Sequence, residues 1–118
     1  MSHIVTIETR VHDSTALAAA CCRLQLAEPV QDTVRLFNGN VTGLSVKLPG
    51  WRYPIVVDTA SGSIKYDNYE GRWGDQEKLG LLLQMYAVEK AKIEARKKGH
   101  CVTEQARQDG SIVLQIVT

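Results

Sequence analysis

Val5, Ile7 and Val11 occupy odd positions in the first dozen residues, with Thr6, Glu8 and Arg10 between them. This is the alternation of a half-buried strand, and it predicts strand one over residues 3–11. Asp13 or Ser14 suits a helix cap, and Leu17, Ala20, Cys21 and Leu24 then recur at helical spacing through an alanine-rich segment. That helix ends before Pro29, because a residue preceding proline is pushed out of helical angles. From Val34 to Tyr66 the pattern is short extended runs, at 34–37, 42–48, 53–58 and 63–66, punctuated by Asn38-Gly39-Asn40, Pro49-Gly50 and Ser61-Gly62. Such punctuation predicts a meander of antiparallel strands.

The period changes after Trp73. Leu79, Leu82, Leu83, Tyr86, Ala87, Lys90 and Ile93 trace one stripe of a long helix over residues 75–98, with Asp75 as cap, Glu77 at its positive end, and Arg96-Lys97-Lys98-Gly99 at its negative end. At ~1.5 Å per residue it would span the sheet. The chain closes with extended runs at 101–107 and 111–117, where Ile112, Leu114 and Ile116 alternate, joined through Asp109-Gly110, a strong hairpin signal. The order strand, helix, meander, long helix, hairpin predicts one α+β domain over residues 1–118. It places two helices on one face of an antiparallel sheet, in a ferredoxin-like or related arrangement.

Composition narrows the partners. With 118 residues and a formal net charge of +1, the chain makes one small domain and lacks the basic excess of most nucleic-acid binders. The cysteines, Cys21, Cys22 and Cys101, are odd in number and two are adjacent, which suits a reducing compartment better than a disulfide framework. Neither a secretory pattern at the amino terminus nor an apolar run of the ~20 residues that span a bilayer is present. The expectation is a cytoplasmic protein with no membrane partner.

Candidate chemistry concentrates between Gly50 and Asp75. Five of the seven aromatics lie there: Trp51, Tyr53, Tyr66, Tyr69 and Trp73, with Arg52, Lys65 and Arg72 interleaved. Large amphipathic side chains in turn-like sequence form binding surfaces or core edges. Between Lys47 and Asp75 four basic residues balance four acidic ones, so the segment has no net charge to draw phosphates and favours a protein partner. Trp51, Arg52, Tyr53, Tyr66, Tyr69, Arg72 and Trp73 are therefore the expected partner-binding residues, with a second copy of the chain among the candidate partners. The alternative is a single-stranded nucleic-acid module stacking bases on a sheet face through Tyr53, Tyr66 and Trp73.

Other constellations have simpler readings. Lys90, Lys92, Arg96, Lys97, Lys98 and His100 form a basic patch at a helix end, interleaved with Glu89 and Glu94, which suits a solvated face with i,i+3 and i,i+4 pairs such as Glu94 with Lys97 or Lys98. His3, His12, His100 and the cysteines lack zinc-site spacing, so no metal is expected, and Cys21 falls on the apolar helix face. Asp58, Asp67, Glu70 and Asp75 read as turn and cap residues. Asp67-Asn68-Tyr69-Glu70-Gly71 lacks the ligand register of a calcium loop, and no Gly-rich phosphate loop is present, so no cofactor is expected. An enzymatic site assembled from Asp67, Arg72 and His100 would need a polar pocket joining them.

Several blocks together resemble a known family: Met1-Ser2-His3, Gly50-Trp51-Arg52-Tyr53-Pro54, Lys65-Tyr66-Asp67-Asn68-Tyr69, Gly71-Arg72-Trp73-Gly74-Asp75, and Tyr86-Ala87-Val88-Glu89-Lys90-Ala91-Lys92. The chain is similar along essentially its whole length to the domain of unknown function that includes the conserved hypothetical protein of chloroplast open reading frame thirty-five and its cyanobacterial and other bacterial cousins. Cys21-Cys22 departs from that pattern. The resemblance implies a small stand-alone cytoplasmic or stromal protein, with no catalytic residues to carry over. Its bacterial members look like companions of other small proteins and an AAA-type ATPase. The expected function is thus a non-enzymatic interaction or adaptor subunit of a larger assembly, partnered by an AAA-type ATPase or a co-encoded small protein.

Overall fold

A computed structural model describes residues 4–117, so the opening Met1-Ser2-His3 block and the first residue of the expected strand one lie outside the described residues. The chain runs β1 (Val5–Glu8), α1 (Ser14–Arg23), β2 (Val30–Leu36), β3 (Gly39–Val46), β4 (Ile55–Asp58), β5 (Ser63–Tyr66), a short 3-10 turn (Tyr69–Gly71), α2 (Gln76–Lys97), β6 (Cys101–Ala106) and β7 (Ile112–Val117). β1 to β5 form one antiparallel sheet in the order β1-β5-β4-β3-β2. The α+β class is as expected. A ferredoxin-like order would bring a strand after α2 into that sheet, whereas β6 and β7 pair with each other as a separate ribbon.

Both helices cover the same sheet face. The register aligns Ile7 with Ile64, Ile64 with Val57, Val57 with Leu44, and Ile55 with Val46. These side chains share one core with Leu17, Ala20 and Cys21 of α1 and Leu79, Leu82 and Tyr86 of α2. Each fully buried leucine or isoleucine there contributes about 1.5–3 kcal/mol. Asp13 caps α1 by accepting from Thr15 N (2.9 Å) and Ala16 N (3.2 Å), and Asp75 caps α2 by accepting from Glu77 N (3.0 Å). Gly99, at φ +77, follows α2, the left-handed stop that a glycine adopts without strain. The phenol of Tyr86 joins the start of α1 to α2, accepting from the backbone N–H groups of His12 and Asp13, each at 3.2 Å.

The opposite face is covered in part by the chain's own β2–β3 hairpin, over Val56, while Thr6 and Lys65 on the same face stay exposed. Leu44 is the last residue of β3, counting back toward the turn, to pair with β4, and Gly39–Gly43 continue with β2 alone. At Gly43 a β-carbon would lie 2.7 Å from the carbonyl oxygen of Val57 and 2.9 Å from Val56 Cγ1. Only a residue without a side chain lets the strand bend so closely across its neighbour. Beyond the bend, Gly39 faces Ile4 Cδ1, Leu36 is fully buried, and the ring of Phe37 meets that of Trp73. Leu36 and Val56 are buried outside the main core, so this fold-back builds a second, smaller apolar layer.

The β6–β7 ribbon lies along α2. Ile112 packs against the core, and Gln84 Nε2 donates to Gly110 O at 2.9 Å. Glu104 accepts from Arg23 of α1 and from Lys92 of α2, the latter at 2.7 Å. One carboxylate thereby clamps the ribbon to both helices. Arg23 foremost, then Lys92, hold it well below the ordinary glutamate range, at about 2.

Candidate functional site

The Gly50–Asp75 aromatics do not form one surface. Trp51 turns inward: its ring packs on the helix-side core and meets Tyr66 edge-on at 5.6 Å, while its Nε1 donates to Asp75 O at 3.0 Å. Gly74 allows this, since a β-carbon there would stand 2.4 Å from the indole. Tyr66 is only 6% exposed, and its hydroxyl accepts from Gln76 Nε2 at 3.2 Å. Of the seven expected partner-binding residues, these two are thus structural. A sheet-face stacking platform including Tyr66 is not available, because Tyr66 lies in the core under the helices.

The remaining five converge on Trp73. Its ring lies 4.7 Å from that of Tyr69 and 5.8 Å from that of Tyr53. The Arg52 guanidinium sits 4.8 Å from the Trp73 ring and 5.7 Å from that of Tyr53, and Arg72 sits 5.1 Å from Tyr69. Cations over aromatic faces at these distances are attracted by the ring quadrupole. Phe37, 5.5 Å from Trp73 and 52% exposed, completes the patch from the tip of the β2–β3 hairpin. The expected extended run at 34–37 ends on Phe37, which instead lies in the turn between β2 and β3. The one signal that marks it is its position as a large aromatic directly before Asn38-Gly39, where a hairpin turn has no use for one.

The loop beneath is held rigidly. Asn68 O accepts from Gly71 N (3.1 Å) and Trp73 N (2.9 Å), its Nδ2 donates to Gly74 O (3.3 Å) and Gln76 Oε1 (3.0 Å), and Arg52 N donates to Trp73 O (2.8 Å). Tyr69 and Glu70 adopt left-handed backbone at φ 49 and 54, a conformation uncommon for side chains of this size that the surrounding bonds enforce. Asp67 is more than a turn residue: it is 1% exposed, with Oδ1 accepting from Tyr69 N at 3.2 Å and Oδ2 buried without a hydrogen-bond partner.

No family model, curated protein or solved structure matches the chain. Arg72 precedes α2 and His100 follows it, so this helix of 22 residues, about 33 Å long, separates two members of the Asp67, Arg72, His100 set. The groove of ≈ 530 Å³ beside α2 is lined by residues such as Val11, Leu83 and Tyr86 and includes none of the three. Among the described residues no cluster of His, Cys, Asp and Glu has the makings of a metal site. Cys21 is buried, which pushes its thiol up to about 11, while Cys22 and Cys101 are exposed and unbridged. Lys90 bridges Asp13 and Glu94, Lys97 reaches Glu94, and Lys92 reaches Glu89 and Glu104, so much of the basic helix end is internally neutralised.

Proposed function

We propose that the protein is a small non-enzymatic interaction subunit of a larger assembly, and that it presents the Trp73-centred patch to a protein partner. The observation that carries this reading is the convergence of Phe37, Tyr53, Tyr69 and Trp73 from three separate segments onto one site, with Arg52 and Arg72 over the rings. Trp, Tyr and Arg are the residues that dominate binding energy at protein interfaces. Their rigid support lowers the ordering cost of association.

The mixed charge of the segment supports a protein partner over a polynucleotide, because a phosphate backbone is drawn by a basic excess. The resemblance to the chloroplast and cyanobacterial family, whose bacterial members look like companions of other small proteins and an AAA-type ATPase, makes such an ATPase or a co-encoded small protein the first partner to try. A cytoplasmic setting fits the free cysteines.

The test is affinity capture from the native host at moderate salt, with wild type beside a folded Trp73→Ala, Arg52→Ala variant, and with bound protein and bound nucleic acid both quantified. A stoichiometric protein captured by wild type and lost in the variant supports the reading. Nucleic acid alone, or a partner retained by the variant, overturns it.

A further inference from the structure

Four strand edges are open among the described residues: β1 and β2 on the main sheet, β6 and β7 on the ribbon. An open edge offers unpaired N–H and C=O groups to any passing strand, and proteins guard such edges with charge, proline or brevity. β1 has only four residues and includes Glu8, β2 carries Asp32 and Arg35, and β6 carries the clamped Glu104. β7 alone is unguarded. Its six residues, Ile112–Val117, include no charge, proline or glycine. Ile116 is 48% exposed and Val117 53% exposed at its open end.

The occupant is written into the strand. Leu114 lies opposite Glu104, whose carboxylate reaches both helices, so Ile112, Leu114 and Ile116 form the helix-facing row. That row reads the same in both directions about Leu114. A two-fold axis normal to the ribbon joins β7 antiparallel to another β7 with like faces together only when the paired residue numbers share parity. Centred on Leu114, the pairing sets Ile112 against Ile116 of the second copy, Leu114 against Leu114, and Val113 against Gln115. Every helix-facing pair is then apolar, and no two charges are opposed.

From this self-complementarity we infer that β7 is a homodimerisation edge: two copies join antiparallel about Leu114 to form a four-stranded sheet, β6-β7-β7-β6, that covers Ile116. The helices support one face of the ribbon, and pairing β7 with a second copy satisfies the strand edge they leave open. This inference does not rest on the Trp73 patch.

Sedimentation of the full chain over a concentration series tests it, with circular dichroism to verify folding. Wild type is expected to pass from monomer to dimer. Val113→Lys with Gln115→Lys opposes like charges twice by symmetry and is expected to weaken association about tenfold or more. Val113→Glu with Gln115→Lys opposes unlike charges at the same places and is expected to retain the dimer. Should the double-lysine variant fail to fold, Ile116→Lys replaces it, placing a charge at a site exposed in the monomer and covered in the dimer. A wild type that stays monomeric throughout overturns the inference. So does a dimer indifferent to the lysine variants, or one lost equally with complementary charges.

Discussion

The indole of Trp51 lies against Gly74 so closely that a β-carbon at residue 74 would stand 2.4 Å from its Cδ2. This contact fixes Trp51 in the fold, whereas the Trp73 ring stacks among Phe37, Tyr53 and Tyr69. Gly74→Ala must displace a ring that is also hydrogen-bonded to Asp75 O, and overpacking of this kind costs about 1–3 kcal/mol. Chemical denaturation should show that loss, and an unchanged midpoint would refute the contact.

Gly43 governs the hairpin in the same way. The nearest obstacle to a side chain there is backbone, the carbonyl oxygen of Val57, which cannot rotate aside. Gly43→Ala is therefore expected to destabilise the fold by about 1–3 kcal/mol and to lift Phe37 away from Trp73. Nuclear Overhauser contacts between these two rings should be present in wild type and weak or lost in the variant.

The Glu104 clamp gives the ribbon an acid-sensitive anchor. Its carboxyl titrates near 2 when folded against an ordinary 4.5, so its contribution is fully present above pH 4.5 and is lost as pH falls toward 2. Because the pair is partly exposed, the effect is modest, about 1 kcal/mol or less. Protection of the β6 and β7 amides, taken relative to the intrinsic exchange rate at each pH, should fall across that window in wild type, whereas Glu104→Gln should be less protected already at neutral pH and show a flatter dependence.

Stability and binding should separate between Trp51 and Phe37. Trp51→Ala removes a core wall and is expected to cost about 3 kcal/mol. Phe37→Ser, at an exposed tip, should cost less than about 1 kcal/mol while weakening partner capture. Parallel denaturation curves for the two variants measure the difference directly.

What was legible in the chain was local. Asp75, the apolar stripe through Leu79, Leu82 and Tyr86, and Gly99 define α2 by capping and periodicity alone, and Asn38-Gly39 and Asp109-Gly110 mark their turns. β2 begins at Val30, ahead of the expected Val34, because Gln31, Asp32 and Thr33 lie on an exposed edge where burial imposes no alternation. β1 is shorter than the expected 3–11, ending at Glu8, although Thr9 N still donates to Gly62 O. The division of the aromatic segment was not legible, since it depends on tertiary approaches at Gly74 and Gly43. The role of Phe37 follows from the second of these, and in the sequence only its place directly before Asn38-Gly39 marks it.

The most direct test of the Trp73 patch is photo-crosslinking in the native host, with a benzophenone amino acid placed at Phe37 and, for comparison, at exposed Glu28 and Gln108. Position 37 is expected to give one discrete protein adduct that the other two positions do not yield and that Trp73→Ala suppresses. No adduct at position 37, the same adducts at all three positions, or an adduct with nucleic acid would contradict it.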